Sequence, residues 1–435
     1  MALGGGTFVT QNKVLAGSYI NFVSAANASA VLSDRGIATI ALDMDWGATG
    51  EVVEVTREEF YSNSLKYFGY PYDHEKMKGL RDLFKNIKTL YVYRLNGANG
   101  TKAMNVYAEA KYSGVRGNDL KVSFKPNIDN SSFVDVKTLF DGVVVDAQTV
   151  ATRDELKNND FVVWGEFELT TGMDAEETLE GGANGKVENA SHQAYLDAIE
   201  PYSFNAMGAM TNDESVKGLY VAFVKRMRDE VGAKFQLVLH NHAADYEGVV
   251  NVKNTVQGTE TDALVYWVTG AIAGCEINKS NLNKVYDGEF TVNAQYTQTQ
   301  LTQAIKDGEF VLHRVGRDLR VLDDINSLVT ITPEKGEIFK DNQTIRVIDQ
   351  IANDIAVLFN EKYLGAVPND AAGRTSLWAD IVKHHEELEA IRAIEDFNEE
   401  DVVIAQGDSK KSVVVTDAVT VVNTMAKLYM TVTVA

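Results

Sequence analysis

The chain is short of cysteine, of proline and of positive charge, and each shortage removes a class of explanation. One cysteine, Cys275, in 435 residues leaves no internal disulfide framework and no cysteine-based zinc site. Its setting, Ala271-Ile272-Ala273-Gly274-Cys275, predicts a small buried residue in a helix. Five prolines leave no room for a proline-rich linker. Lys and Arg number 41 against 62 Asp and Glu, for a net charge of −21. A nucleic-acid binder would need basic clusters to displace phosphate counterions. The same deficit argues against anchoring on anionic lipid. No run of eighteen apolar residues exists, so no transmembrane helix is expected. The start, Met1-Ala2-Leu3-Gly4-Gly5-Gly6, has no basic segment and no apolar core of a secretion signal, so synthesis and folding are expected in the cytoplasm. What remains is 45% apolar and 24% charged, a globular balance. Its length predicts two to four domains. Charge of one sign keeps free copies soluble and apart.

The last eleven residues carry the most informative pattern. Ala426, Leu428, Met430, Val432 and Val434 alternate with Lys427, Tyr429, Thr431 and Thr433. A period of two in residues of high strand preference predicts a β-strand over 425–435. A terminal strand with an apolar face must be paired or it is a sticky edge. Its partner is either this molecule or another copy.

The rest of the chain reads as mixed α/β with several domains. Residues 1–23 follow Gly4, Gly5 and Gly6 with weak alternation, which predicts an extended arm on a glycine joint. Strands are predicted at 37–42, 50–55 and 90–95, with helices from Thr56 and over 74–85. Thr56-Arg57-Glu58-Glu59 is a capping box. Over 96–185 helix signals vanish and short strands take over, which predicts a β-rich insertion. Within it Asp141-Gly142 between two apolar runs predicts a type I′ hairpin. Residues 24–95 and 186–338 together read as an α/β core. Helices are expected at 191–200, 213–231 and 261–274, and strands at 204–207, 235–239, 289–292, 310–314, 319–322 and 328–332. Residues 339–435 form a final α+β module, with helices at 342–363 and 373–388 and strands at 401–404, 412–415 and the terminus.

A search for chemistry comes back empty. Glu180 stands where a P-loop needs its first glycine, and Val187 where it needs a hydroxyl. His240 and His242 share a face if their strand continues, but Asp245 and Glu247 are the only nearby further ligands. His384 and His385 diverge by about 100° on a helix, so they read as a solvated face and not as a chelating pair. Asp43, Asp45, Asp323 and Asp324 are acidic candidates with no fixed separation. No catalytic, metal or cofactor site is therefore expected.

Several segments together resemble contractile tail sheath proteins of phages and R-type bacteriocins, the Gram-positive type above all. They are Gly69-Tyr70-Pro71-Tyr72-Asp73-His74, Leu90 to Asn96, Ala110 to Asp119, Leu179 to Gly185, Asn283 to Gly288 and Lys427 to Val432. The resemblance spans nearly the whole chain. It implies six-fold rings of subunits stacked as a helix around a tail tube, with baseplate and terminator proteins at the ends. Contraction would drive the tube through a target envelope. It implies that 96–185 faces outward. It also implies that the N-terminal arm of one copy and the C-terminal strand of another complete a sheet in a neighbour. The residues expected to link copies are Phe8, Val9, Tyr19, Ile20, Phe22, Leu428, Tyr429, Met430, Val432 and Val434, with hinges at Gly4, Gly5, Gly6 and Gly407. The second reading is a soluble α/β enzyme or nucleotide-binding protein, which the missing site disfavours.

Overall fold

The computed structural model describes residues 32–258 and 260–434. The chain divides into two compact units. One holds Ile40–Lys78 and Leu90–Ile199; the other holds the described part of residues 1–39, Gly79–Thr89 and Glu200–Ala435. The expected N-terminal arm lies outside the described residues.

The chain enters the first of these units through β1 (Ile37–Leu42), whose last five residues are buried, and β2 (Val52–Thr56). The predicted capping box opens α1 (Arg57–Phe68): Thr56 Oγ1 accepts from Glu59 N at 3.2 Å, and Glu59 Oε2 accepts from Thr56 N at 2.9 Å. After α2 (Lys78–Phe84), which belongs mostly to the other unit, comes β3 (Thr89–Arg94). The β-rich part follows: β4 (Ala108–Ala110), β5 (Leu120–Pro126), β6 (Val134–Phe140), β7 (Val143–Val150), β8 (Val162–Trp164) and β9 (Ala175–Thr178). Strands β7-β6-β5-β9 make one antiparallel sheet, and β4 pairs with β8. Asp141 (φ 50°) and Gly142 (φ 78°) turn the β6–β7 hairpin, so both central residues take the positive φ that a type I′ turn needs. Val134, Val136, Thr138 and Phe140 alternate inward along β6. Val134, Val136 and Phe140 join Val122, Phe124 and Trp164 in one apolar core. Helix α3 (Asn189–Ile199) closes the unit.

The second unit is built on a parallel ladder. It runs through β10 (Ala206–Ala209), β11 (Gln236–His240), β12 (Val249–Val252) and β13 (Glu309–Phe310). The first three of these strands are buried throughout, as strands covered on both faces must be. Helix α4 (Glu214–Lys225) starts on Asp213, whose Oδ1 accepts from Ser215 N and Val216 N at 2.8 and 3.2 Å. A π-turn over Arg226–Val231 extends it. Helix α5 (Leu264–Gly274) is apolar nearly all round and buried. A Cβ on Gly274 would sit 1.7 Å from the carbonyl oxygen of Asn86, so only glycine lets this helix approach so closely.

Two predicted strands are absent. Residues 289–292 contribute a single bridge, Val256↔Val292. Near 328–332 the side chain of Asp245 accepts from Val329 N and Thr330 N at 2.7 and 2.9 Å, so a carboxylate takes the place of a strand partner. Helix α6 (Gln298–Lys306), with its Thr297–Gln300 capping box, was not predicted. The predicted strand at 310–314 breaks at Val311 into β13 and β14 (Leu312–Val315), and β14 pairs with β15 (Asp318–Val321).

The last hundred residues hold α7 (Asn342–Leu358), with a π-turn to Tyr363, and α8 (Ala371–Ala390). Two small antiparallel pairs accompany them. β16 (Ile394–Glu395) pairs with β19 (Thr420–Val421), and β17 (Val403–Gln406) pairs with β18 (Val413–Thr416).

Candidate assembly site

The terminal segment is held at its root and bare beyond it. Val422 N donates to Ala393 O at 3.0 Å, Gln343 Nε2 to Val422 O at 3.0 Å, and Thr424 N to Gln343 Oε1 at 3.0 Å. From Met425 to Val434 no ladder forms among the described residues. Leu428, Tyr429, Met430, Val432 and Val434 are 85, 89, 75, 68 and 89% exposed. The predicted terminal strand therefore has no partner in its own described body. Scattered exposed apolar residues are ordinary, but a continuous exposed run marks a surface made for contact.

The same module offers incomplete sheets. The β17–β18 ribbon has only two strands, so each has a free ladder edge among the described residues. Val403 and Val415 on it are exposed. Gly407 is not a hinge to the terminal strand. It lies in the β17–β18 loop, where its N–H donates to Ser412 O at 2.8 Å and continues the hairpin. The linker to the terminal strand is instead 417–424. Phe8, Val9, Tyr19, Ile20, Phe22 and Gly4, Gly5 and Gly6 lie outside the described residues.

The residues weighed as chemical candidates are structural. His240 ends β11, and Asn241 turns to φ 50° directly after it, so His240 and His242 do not continue along one strand face. His242 Nδ1 meets Glu214 Oε2 at 3.0 Å, and among the described residues no group of three possible ligands forms a metal site. Asp45 accepts from Tyr70 Oη, Asn184 Nδ2 and Lys76 Nζ at 2.6, 2.7 and 2.9 Å, and Asp43 accepts from Asn96. Fully buried Asp324 takes Asn281 N and Asn342 Nδ2 at 2.8 and 3.0 Å, while Asp323 caps the N–H of Asp324 at 3.0 Å. Cys275 is half-buried at the end of α5. Its carbonyl accepts from Arg35 Nε at 2.9 Å, and burial pushes its thiol pKa up.

One expectation is reversed outright. His384 and His385 were read as a solvated face of α8, yet both are buried. Their Nδ1 atoms are 3.3 Å apart, because side-chain rotation overcomes the divergence of their Cα positions. The sequence held one hint of this: the helix has Leu377, Ile381 and Leu388 on the same buried side.

An exposed, alternating apolar terminal segment in the same module as two-stranded ribbons is a surface suited to contact with another chain. The comparisons agree with that reading. Residues 35–95 match the N-terminal region of tail sheath Gp18 domain III, and 96–184 the phage tail sheath beta-sandwich domain. Residues 185–327 match the phage tail sheath central domain and 334–435 the C-terminal domain. The sheath tail protein of Desulfitobacterium hafniense is 34% identical, covering 90% of this chain and 93% of that one, with a TM-score of 0.75. That of Listeria innocua is 30% identical over 91% and 94%, with a TM-score of 0.80. The contracted helical sheath of the anti-feeding prophage shares the fold at 12% identity and a TM-score of 0.57, over 98% of each chain. The chain belongs to the phage tail sheath family. It is a structural subunit of a tail sheath, a component of a virion or related particle. No described helix is long and apolar enough to cross a membrane.

Proposed function

We propose that the two tails of this subunit link it to its neighbours by completing their sheets. The terminal strand of one copy adds to a free edge of a neighbour's β17–β18 ribbon, and the N-terminal arm of another copy takes the second edge. The observation that carries this is the exposure of Leu428, Met430, Val432 and Val434, all apolar and spaced so that a strand would set them on one face. Strand addition gives affinity through main-chain hydrogen bonds and register through alternate side chains. Each such bond nets about 1 kcal/mol. A contact of one copy on the next that does not close on itself builds a helical filament.

Around this joint the subunits form six-fold rings that stack as a helix on a tail tube. Baseplate and terminator proteins bound the two ends. Residues 1–23 are the arm, 24–95 with 186–338 the sheath core, 96–185 the outward-facing insertion, and 339–435 the linking module. The subunit is made in the bacterial cytoplasm. Its work is mechanical and uses no cofactor: contraction drives the tube through the target envelope while the joints hold. Removing residues 425–435 tests the joint. The shortened chain is expected to stay folded and soluble and to form no sheath by negative-stain microscopy. Tubes of normal length from that chain would refute the linking role.

A further inference from the structure

The buried histidine pair of α8 sits where the roots of both tails come together. His384 Nε2 meets Asp354 Oδ2 at 3.0 Å, on α7. His385 Nε2 meets Asp417 Oδ2 at 2.7 Å. Asp417 lies between β18 and β19, at the start of the linker to the terminal strand. On the other side, Ser33 Oγ donates to Asp354 Oδ1 at 2.5 Å, and Gln350 Nε2 donates to Ser33 Oγ at 2.5 Å. Ser33 is the second described residue. One chain of contacts thus runs Ser33–Asp354–His384–His385–Asp417. His384 and His385 are 1 and 0% exposed.

The distances fit one proton count. With both aspartates ionised, each needs a proton on the Nε2 that faces it. The two Nδ1 atoms then face each other at 3.3 Å, and one must donate while the other accepts. Four ring nitrogens therefore hold three protons, and the pair carries one positive charge between two carboxylates. Losing the Nδ1 proton to solvent leaves two lone pairs opposed. Gaining a fourth sets two N–H groups against each other. Either change removes the central link. The groups facing the pair are few. Asp354 and Gln350 come from α7, with Arg35 close enough to feel the charge of Asp354. Asp417 comes from the β18–β19 segment, and the Phe397 ring packs on His385 at 5.2 Å. On α8 itself Lys383 pairs with Glu387 at 4.0 Å.

We propose that the His384–His385 pair is a shared-proton clamp that fixes the roots of both tails on the α7–α8 hairpin and loosens them on either side of its optimum pH. The role in assembly rests on the linking function proposed above; the clamp itself does not. Hydrogen exchange on the full-length unassembled chain tests it. From about pH 5 to about pH 9 the protection factors of amides in 413–424 are expected to peak in between and fall about tenfold or more at both ends, as loss of a charge-assisted hydrogen bond requires. In H385Q, which keeps a donor toward Asp417 but removes the imidazole–imidazole link, protection is expected to be lower at the optimum and to lose its peak with pH. A flat wild-type profile, or an unchanged one in H385Q, overturns the clamp. If H385Q fails to fold, 15N shifts of the wild-type histidines decide: two separated steps, each moving the signals of both rings together, are expected, and two rings that each titrate in a single independent step refute the shared proton. Adding EDTA is expected to change nothing; lost protection would mean that a metal and not a proton joins the rings. The chain ending at residue 424 retains Asp417 and should keep the pH profile. Sheath assembly by that chain would sink the linking role and leave the clamp standing.

Discussion

Replacing Met430 by aspartate separates the stability of the subunit from the strength of its joint. In the free subunit Met430 is 75% exposed and contacts little, so M430D should change monomer stability by less than about 0.5 kcal/mol. In the proposed joint the side chain would lie on the apolar face and be buried. Losing its burial costs roughly 1.5–3 kcal/mol. A carboxylate set on an apolar ledge without a partner adds roughly 2 kcal/mol more, even when it escapes partly to solvent. The sum, about 4 kcal/mol, weakens each joint roughly a thousandfold. Only the difference between variants enters this figure, which avoids the uncertain ordering entropy of the tail. The assay has two halves. Denaturant melts of the monomer should overlay, and sedimentation with negative-stain microscopy should show sheath from the parent chain and none from M430D. T431D is the internal control, since Thr431 lies on the opposite face and should cost far less. Normal sheath from M430D, or equal losses from both variants, would refute the assigned face and register.

Three further outcomes follow from other parts of the molecule. Burial raises the pKa of Asp82 from 3.8 to about 6, although it accepts from Glu289 N at 2.8 Å. The folded state thus holds this proton more tightly than the unfolded one. The stability it contributes, roughly 3 kcal/mol, is present below about pH 4 and lost as pH rises to about 6; denaturant melts of D82N should lose that slope, and an unchanged slope would refute the assignment. Gly274→Ala, forced against Asn86 O at 1.7 Å, should destabilise by about 2 kcal/mol or more, while Gly218→Ala in α4, with open space around it, should be neutral or stabilise by up to about 1 kcal/mol; equal melting shifts would contradict the packing of α5. With −21 charges per subunit, raising ionic strength from about 0.01 to about 0.15 M shortens the screening length from roughly 30 to roughly 8 Å and should speed sheath formation; light scattering that showed no salt dependence would mean that self-repulsion does not hold subunits apart.

The elements that were legible are those whose own residues decide them. Thr56 and Glu59 satisfy each other's backbone, so the start of α1 needs no tertiary help. Asp141 and Gly142 supply positive φ at two adjacent positions, which almost no other pair does as cheaply. Apolar α5 could only be buried. The failures share a different cause. Residues 328–332 have the composition of a strand, but Asp245, more than eighty residues away in sequence, takes their N–H groups. Helix α6 has little apolar content beyond Leu301, Ala304 and Ile305, and its capping box was the one local sign. In both places a contact remote in sequence, or a cap overlooked, outweighed hydrophobic period.

The assembly site divides along the same line. The terminal segment stood out in sequence because a period of two needs no knowledge of a partner; among the described residues it forms no ladder, and its apolar side chains are exposed. Gly407 was misjudged because a glycine followed by Asp408-Ser409 fits a hinge and a hairpin loop equally well; only the Ser412 carbonyl that takes its N–H tells them apart. The histidines of α8 were misjudged for a subtler reason. Neighbouring Cα positions on a helix point about 100° apart, and that rule treats a side chain as a rigid spoke. Imidazoles reach several ångströms from the axis, and two aspartates, from α7 and from the β18–β19 segment, draw each Nε2 outward and leave the Nδ1 atoms facing. The arrangement belongs to three segments at once. A buried ionisable pair of this kind is costly unless each proton and lone pair is matched. The clamp proposed above would give that cost a use, since the pair lies between Ser33 and Asp417 by way of Asp354.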